Sequence, residues 1–304
     1  MSWVQSCLRR RRQKSSKTLE DLPVEIILNI LEIADSIPTL RSTSFVSRRL
    51  HDVANSLLYR HVELRHVHRA VFLLSTLVES PELGRHVRSF DCSALPTRCH
   101  FPDFVAHSFD LRTGELPVRA LRKAVGLTSL VVSVNVADLN AGGWVKLLKG
   151  PIELRKLSLC GRNLAYGETV DGSKRKEWTQ MIADVLKAQP SIAELEIQGV
   201  EPYDSLPRLD PTDLPNLRTL TASTVSAVLL VLRGGHRSLR SLTLGDDISM
   251  KQVQDIIFDL IPNGAGVEEF TWRGPTSKRL SYPTRDHWSD ASAFLSEVAV
   301  KFPN

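Results

Sequence analysis

The sequence is short of cysteine, of long apolar runs and of any recognisable catalytic constellation, and each shortage closes off a class of protein. Four cysteines, Cys7, Cys92, Cys99 and Cys160, are spread irregularly over 304 residues with no apolar leader ahead of them. That is no disulfide framework, so free thiols in a reducing compartment, cytoplasm or nucleus, are expected. The longest aliphatic run, Ala227 to Leu232, falls far short of a bilayer span, so no membrane partner is expected. Gly-x-Ser-x-Gly, His-Glu-x-x-His and Gly-x-Gly-x-x-Gly are all missing. Gly167-x-x-x-x-Gly172-Ser173-Lys174 approaches a phosphate loop, but its serine precedes the lysine and throws it out of register. Cys92, Cys99, His100 and His107 match no zinc spacing, and a polar strand edge accounts for His61, His66 and His68. The reading is therefore no enzyme, with no catalytic residues, no cofactor and no metal.

Acid is the other thing missing, at one end. Residues 1–18 hold Arg9, Arg10, Arg11, Arg12, Lys14 and Lys17 without one Asp or Glu, leaving 33 basic against 34 acidic residues in the rest of the chain. Residues 1–17 read as a disordered basic tail: a solubilising leader, a nuclear-import patch, a transit peptide, or a membrane-associated segment if Cys7 were lipidated. The body carries no net positive charge, which argues against a nucleic-acid partner. With 42% hydrophobic and 24% charged residues, that body has the composition of a globular protein.

What is present begins with a compact apolar stretch, residues 18–64. Asp21 ahead of Pro23, with Glu25 in the first turn, signals a helix start. Ile26, Ile30 and Ala34 recur at i+4 with Ile27 and Leu31 beside them, and Pro38 is expected to stop the helix. Ser47 is positioned to cap a following helix, in which Leu50, Val53, Ala54, Leu57 and Leu58 keep amphipathic spacing. A module this small cannot bury so much apolar surface alone and must either cap a larger core or dock on a partner.

The run Leu22-Pro23-x-Glu25-Ile26-Ile27-x-x-Ile30-Leu31, followed by Leu40 and then Val46-Ser47-Arg48-Arg49-Leu50, resembles an F-box. The resemblance covers about a seventh of the chain. It implies that this face docks on the Skp adaptor of a cullin-RING ubiquitin ligase, and that the remaining chain selects an unknown protein substrate. On that resemblance Leu22, Pro23, Ile26, Ile27, Ile30, Leu31, Leu40, Val46 and Leu50 make the adaptor contact, with Glu25, Ser47 and Arg49 as its polar rim. Leu50 stands where the family often has Trp, and Thr43 is polar where an apolar residue is usual, which lowers the adaptor affinity to be expected.

Residues His66 to Ser80 form another amphipathic stripe, closed by Pro81. A pattern L-x-x-L-x-L then recurs seven times: from Val87 to Cys92, Leu127 to Val132, Leu154 to Leu159, Ile192 to Ile197, Leu217 to Ala222, Leu239 to Leu244 and Val267 to Trp272. The copies step by 40, 27, 38, 25, 22 and 28 residues. Helical stripes lie between them, at Trp178, Met181, Ile182, Val185 and Leu186, at Val225, Val228, Leu229 and Leu232, and at Val253, Ile256, Ile257 and Leu260. Such strand–helix units cannot bury their own apolar faces and stack on their neighbours. The fold class expected is therefore α/β: a helical module, then, over residues 65–304, an irregular leucine-rich-repeat-like solenoid with a parallel sheet, similar to the arrays of fungal-type F-box proteins. The Asn that ladders the turns of regular repeats occurs only as Asn135; the equivalent places hold Leu95, Arg162, Val200, Val225, Asp247 and Pro275. After the apolar stripe Phe294, Leu295 and Val298, the chain ends at Phe302-Pro303-Asn304, where a further strand is due; the expectation is either an array closed by an unusual capping helix or, slightly favoured, a fragment of a longer protein.

Outward strand positions, Arg155, Lys156, Glu194, Glu196, Arg218, Thr219, Arg240 and Ser241, and the insertions at 93–115, 161–176, 199–214 and 273–288 are the candidate substrate contacts. The competing expectation is a scaffold outside any ligase, whose helices merely cap the repeats.

Overall fold

A computed structural model describes residues 18–34, 36–93, 115–133, 141–160, 172–198, 209–210, 212–233, 239–245, 248–260 and 267–273. They fall into two compact units divided between His61 and Val62.

The first unit is helical. A single 3-10 turn, Leu19–Asp21, leads into α1, Val24–Ala34; α2, Ile37–Ser44, and α3, Arg48–Leu58, follow. Ser47 caps α3 as its sequence suggests, its hydroxyl accepting the Leu50 N–H at 3.3 Å. Pro38, in contrast, does not stop α1. It sits in the first turn of α2, where a proline's fixed φ is favourable and its missing N–H costs nothing.

The second unit is a sheet with helices between its strands. Its elements run β1 His61–Glu63, α4 Val67–Glu79, α5 Pro81–Gly84, β2 Ser89–Asp91, α6 Glu115–Leu121, β3 Ser129–Ser133, α7 Ala141–Leu148, β4 Lys156–Cys160, α8 Gly172–Ala188, β5 Glu194–Gln198, β6 Thr219–Ala222, α9 Val225–Leu232, β7 Ser241–Leu244, α10 Met250–Leu260 and β8 Glu269–Trp272. The eight strands lie side by side in sequence order, and each pair from β2 to β8 is parallel.

Every copy of L-x-x-L-x-L supplies one of these strands, and the register matches the copies residue for residue. Phe90, Leu130, Leu157, Leu195, Leu220, Leu242 and Phe270 form one continuous row. Val132, Leu159, Ile197, Ala222, Leu244 and Trp272 form the next inward row. The leading apolar residue of each copy is buried too: Val87, Leu127, Leu154, Ile192, Leu217, Leu239 and Val267. A slip of one residue would turn all of these rows to the opposite face, so the pattern itself pins the pairing.

The backbone repeats as faithfully. At the position after each leading residue a carbonyl accepts two successive N–H groups from the next strand: Arg88 from Thr128 and Ser129, Thr128 from Arg155 and Lys156, Arg155 from Ala193 and Glu194, Ala193 from Arg218 and Thr219, Arg218 from Arg240 and Ser241, Arg240 from Glu268 and Glu269. Where β7 ends, Gly245 donates to the Ala222 carbonyl at 2.8 Å, and a Cβ there would come within 2.8 Å of the Ser223 Cα. Only glycine fits so close an approach.

The expected helical stripes take their places, with Met181, Ile182, Val185 and Leu186 of α8, Val228 and Leu232 of α9, and Val253 and Ile256 of α10 all buried. Neighbouring helices pack on each other, α4 on α6, α6 on α7, α7 on α8 and α9 on α10. One buried side chain ties the helix layer to the strand entries. Gln189 accepts the Leu154 N–H at 2.9 Å and donates to the Ile152 carbonyl at 2.8 Å and to that of Leu148.

Candidate functional site

The helical unit has a closed core and a second apolar surface outside it. Ile27 and Leu31 of α1 pack with Leu40 of α2 and with Leu50, Val53 and Ala54 of α3, and the partly buried Leu22, Leu28, Leu57 and Leu58 seal that cluster. Ile26, Ile30 and Ile33 leave α1 on another side, within roughly 60° of arc at 3.6 residues per turn. They are exposed, Ile33 to 85%, as are Val24, Ile37 and, in the turn between α2 and α3, Phe45 at 86% and Val46. So much aliphatic and aromatic surface on a small unit makes these residues the candidate interaction surface.

The frame holding this face is polar. Ser42, Thr43 and Ser44 return their hydroxyls to the carbonyls of Pro38, Thr39 and Arg41, which satisfies the polar group of Thr43 within its own helix. The Phe45 and Val46 N–H groups close the turn onto Ser42 and Thr43, and His51 Nδ1 lies 3.0 Å from the Ser44 carbonyl. Arg60 pairs with Glu32 at 2.5 Å, joining the turn after α3 to α1, though both side chains are almost half exposed and the pair contributes little.

Arg49 has a more definite task than a rim residue. Its guanidinium donates to the carbonyl of Leu22 at 2.7 Å and to that of Glu20, fastening the turn before α1 to the start of α3. In the same turn the Asp21 carboxylate accepts from the Thr18 N–H at 2.8 Å and from its hydroxyl at 3.1 Å. Those bonds, the Thr18 N–H first, hold the Asp21 carboxyl below the usual aspartate range, with the Arg49 charge adding to the effect. The turn is thus favoured by an ionised Asp21, an effect present above the usual aspartate range and lost as pH falls through the lowered value. Arg49→Ala is expected to cost about 1–3 kcal/mol by releasing both carbonyl contacts, and Arg49→Lys to recover only part of it, since an ammonium cannot span both oxygens as a fork does. Urea unfolding of the full chain followed by far-UV dichroism checks both variants.

The residues expected to meet a partner therefore divide. Pro23, Glu25, Ile26, Ile30, Val46 and Arg49 are exposed and Leu22 and Ser47 half-buried, whereas Ile27, Leu31, Leu40 and Leu50 form the unit's interior and support the face from beneath. Val24, Ile33, Ile37 and Phe45 are exposed as well, and the motif does not single them out. The signal for them was there, because Ile33 continues the Ile26 and Ile30 spacing.

In the sheet unit the expected outward positions sit as neighbours. Lys156, Glu194, Thr219 and Ser241 are in register on adjacent strands, and Lys156 pairs with Glu194 at 3.1 Å. Ser158 donates to Glu196 at 2.7 Å and lies 3.4 Å from the Cys160 sulfur. Burial pushes the Cys160 thiol up, only partly offset by its contact with Ser158, and Cys92 is fully buried. Residues 172–174 of the phosphate-loop-like motif are the first turn of α8. Gly167, Cys99, His100 and His107, the basic tail and nearly all of the four insertions lie outside the described residues. Among the described residues no cluster of His, Cys, Asp and Glu could hold a metal ion, and no helix is long and apolar enough to cross a membrane.

Residues 19–98 match the family model described as the COS11 F-box domain. The chain carries an F-box. Its match extends past the three helices through α4 to the segment after β2. The F-box protein COS111 of Kluyveromyces lactis is 29% identical over 87 residues, which amount to 29% of this chain and 12% of that protein. The exposed and buried isoleucines, Ser47 and Arg49 all fall inside the F-box match, while strands β3 to β8 lie beyond it.

Proposed function

We propose that this chain is a substrate-recognition subunit of a cullin-RING ubiquitin ligase, bound to the Skp adaptor through its F-box and to a target protein through the sheet unit. The observation that carries the reading is the F-box surface itself. Ile26, Ile30, Ile33, Ile37, Phe45 and Val46 stay exposed although Ile27, Leu31, Leu40 and Leu50 already complete a core beneath them. Burying each large apolar side chain is worth about 1.5–3 kcal/mol, so a face of six supplies ample affinity for a partner after the costs of association.

The rest of the chain reads as a leucine-rich-repeat-like solenoid. Sequential parallel strands, matched copies and a carbonyl that accepts twice at each step support that reading, and its outward strand positions make a target surface. Its mechanism is proximity: the receptor raises the local concentration of a target lysine beside the charged enzyme, and no catalytic residue of its own is required. Its setting in this proposal is the cytoplasm or nucleus, read from the few and irregularly spaced cysteines of the sequence.

The test is capture of purified Skp adaptor by the full chain. Leu22→Ala with Pro23→Ala is expected to abolish capture while the melting of the sheet unit stays nearly unchanged. Capture undiminished by the double substitution counts against the proposal.

A further inference from the structure

Four of the seven repeat copies place arginine at the same position, and the fold lines them up. Arg88, Arg155, Arg218 and Arg240 each follow the leading apolar residue, and their backbones are joined step by step through the carbonyls that accept two N–H groups. With Thr128 and Ala193 in the intervening places, they make one row across six strands, with neighbouring strands about 4.8 Å apart. All four side chains are exposed. Arg88 leans over Gly126, where a Cβ would collide with its guanidinium. Among the described residues Arg155 and Arg218 have no ion-pair partner, and Arg240 reaches Glu268 only at 3.9 Å with both side chains more than half exposed.

Helix electrostatics accounts for other cations nearby, but not for these. Arg122, Lys149, Lys187 and Arg233 lie at or just beyond the C-terminal ends of α6, α7, α8 and α9, where the helix dipole favours positive charge. The arginine row stands at the entries of strands, which carry almost no such dipole. Beside Arg218 and Arg240 lies a square of hydroxyls, Thr219 paired with Ser241 and Thr221 with Thr243. Guanidinium forks at the strand entries, with hydroxyl donors following along the strands, suit carboxylates.

We infer that this row, centred on Arg218 and Arg240 and reaching to Arg155, binds an extended acidic segment of a partner protein. The inference rests on the sheet unit being the target-receiving half and names the class of target. A nucleic acid fits the same surface poorly. Glu194, Glu196 and Glu269 are interspersed with the cations and would oppose a continuous polyanion, and the outward positions of β2 to β7 include no aromatic ring for a base to stack on. Discrete carboxylates can pass between those acids.

Fluorescence anisotropy with the full chain tests this without the adaptor. The probes are a fluorescein-labelled peptide of alternating Glu and Ala, its Gln and Ala counterpart, and an oligothymidylate. The Glu peptide is expected to bind and the Gln peptide not. Arg218→Gln with Arg240→Gln should weaken the Glu peptide by about tenfold or more, whereas Arg122→Gln with Arg233→Gln, which removes the same charge from the helix ends, should leave it unchanged. Thermal melts confirm that both pairs fold. Absence of Glu-peptide binding overturns the inference, as do equal losses in both pairs or tighter, row-dependent binding of the oligothymidylate. Adaptor capture by the same preparation is read separately, so loss of one claim is distinguishable from loss of the other.

Discussion

Ile30→Ala together with Phe45→Ala is expected to weaken binding of the Skp adaptor by about a thousandfold, because each side chain, buried at an interface, contributes about 2 kcal/mol or more. The same pair should leave folding nearly untouched, since Ile30 is 41% and Phe45 86% exposed and neither completes the core of the F-box. Ile27→Ala is the necessary contrast. Its side chain is fully buried, and its loss should cost about 2–5 kcal/mol of stability, which a unit of this size can hardly spare. Calorimetric titration of adaptor into each variant, with a urea melt beside it, separates the two effects. Full affinity in the Ile30 and Phe45 variant would show that the exposed face is not the docking face.

The second large effect belongs to the sheet unit. Gln189→Leu keeps the volume of a 2% exposed side chain but orphans the Leu154 N–H and the carbonyls of Ile152 and Leu148. Unpaired buried groups cost about 1–3 kcal/mol each, so after some relaxation a loss of about 3–5 kcal/mol is expected. A urea midpoint for the full chain close to that of the parent would mean that the three contacts are replaced at little cost. The loss would be felt where α8 meets the turn into β4, far in sequence from the F-box.

The residues behind these predictions differ in how far the sequence reveals their roles. The seven strands were legible because a period of two in a buried strand leaves no choice of face, and Leu130, Leu157, Leu195, Leu220 and Leu242 announce themselves in register. Ser47 was legible for a similar reason, a local hydroxyl at a local cap. In α1 the pattern was ambiguous, since isoleucine lies on both the inward and the outward side and hydrophobicity alone cannot say which side the chain covers itself. α2 was hidden behind Pro38 and the polar run Arg41-Ser42-Thr43-Ser44, whose helix is held partly by hydroxyl-to-carbonyl bonds that composition does not reveal. α6 and α7 were missed because Pro117 sits in the first turn of one and Gly142 and Gly143 near the start of the other, residues that normally weaken a helix. Gln189 gave no signal at all: its partners lie 35 to 41 residues away and meet it only through the fold.

The proposed docking of the F-box on a Skp adaptor is tested most directly by mass. The purified chain and the purified Skp adaptor, mixed at equal high micromolar concentrations and passed over a sizing column with light-scattering detection, should elute as one species with the summed mass of one copy of each. Two species at their separate masses would contradict the account.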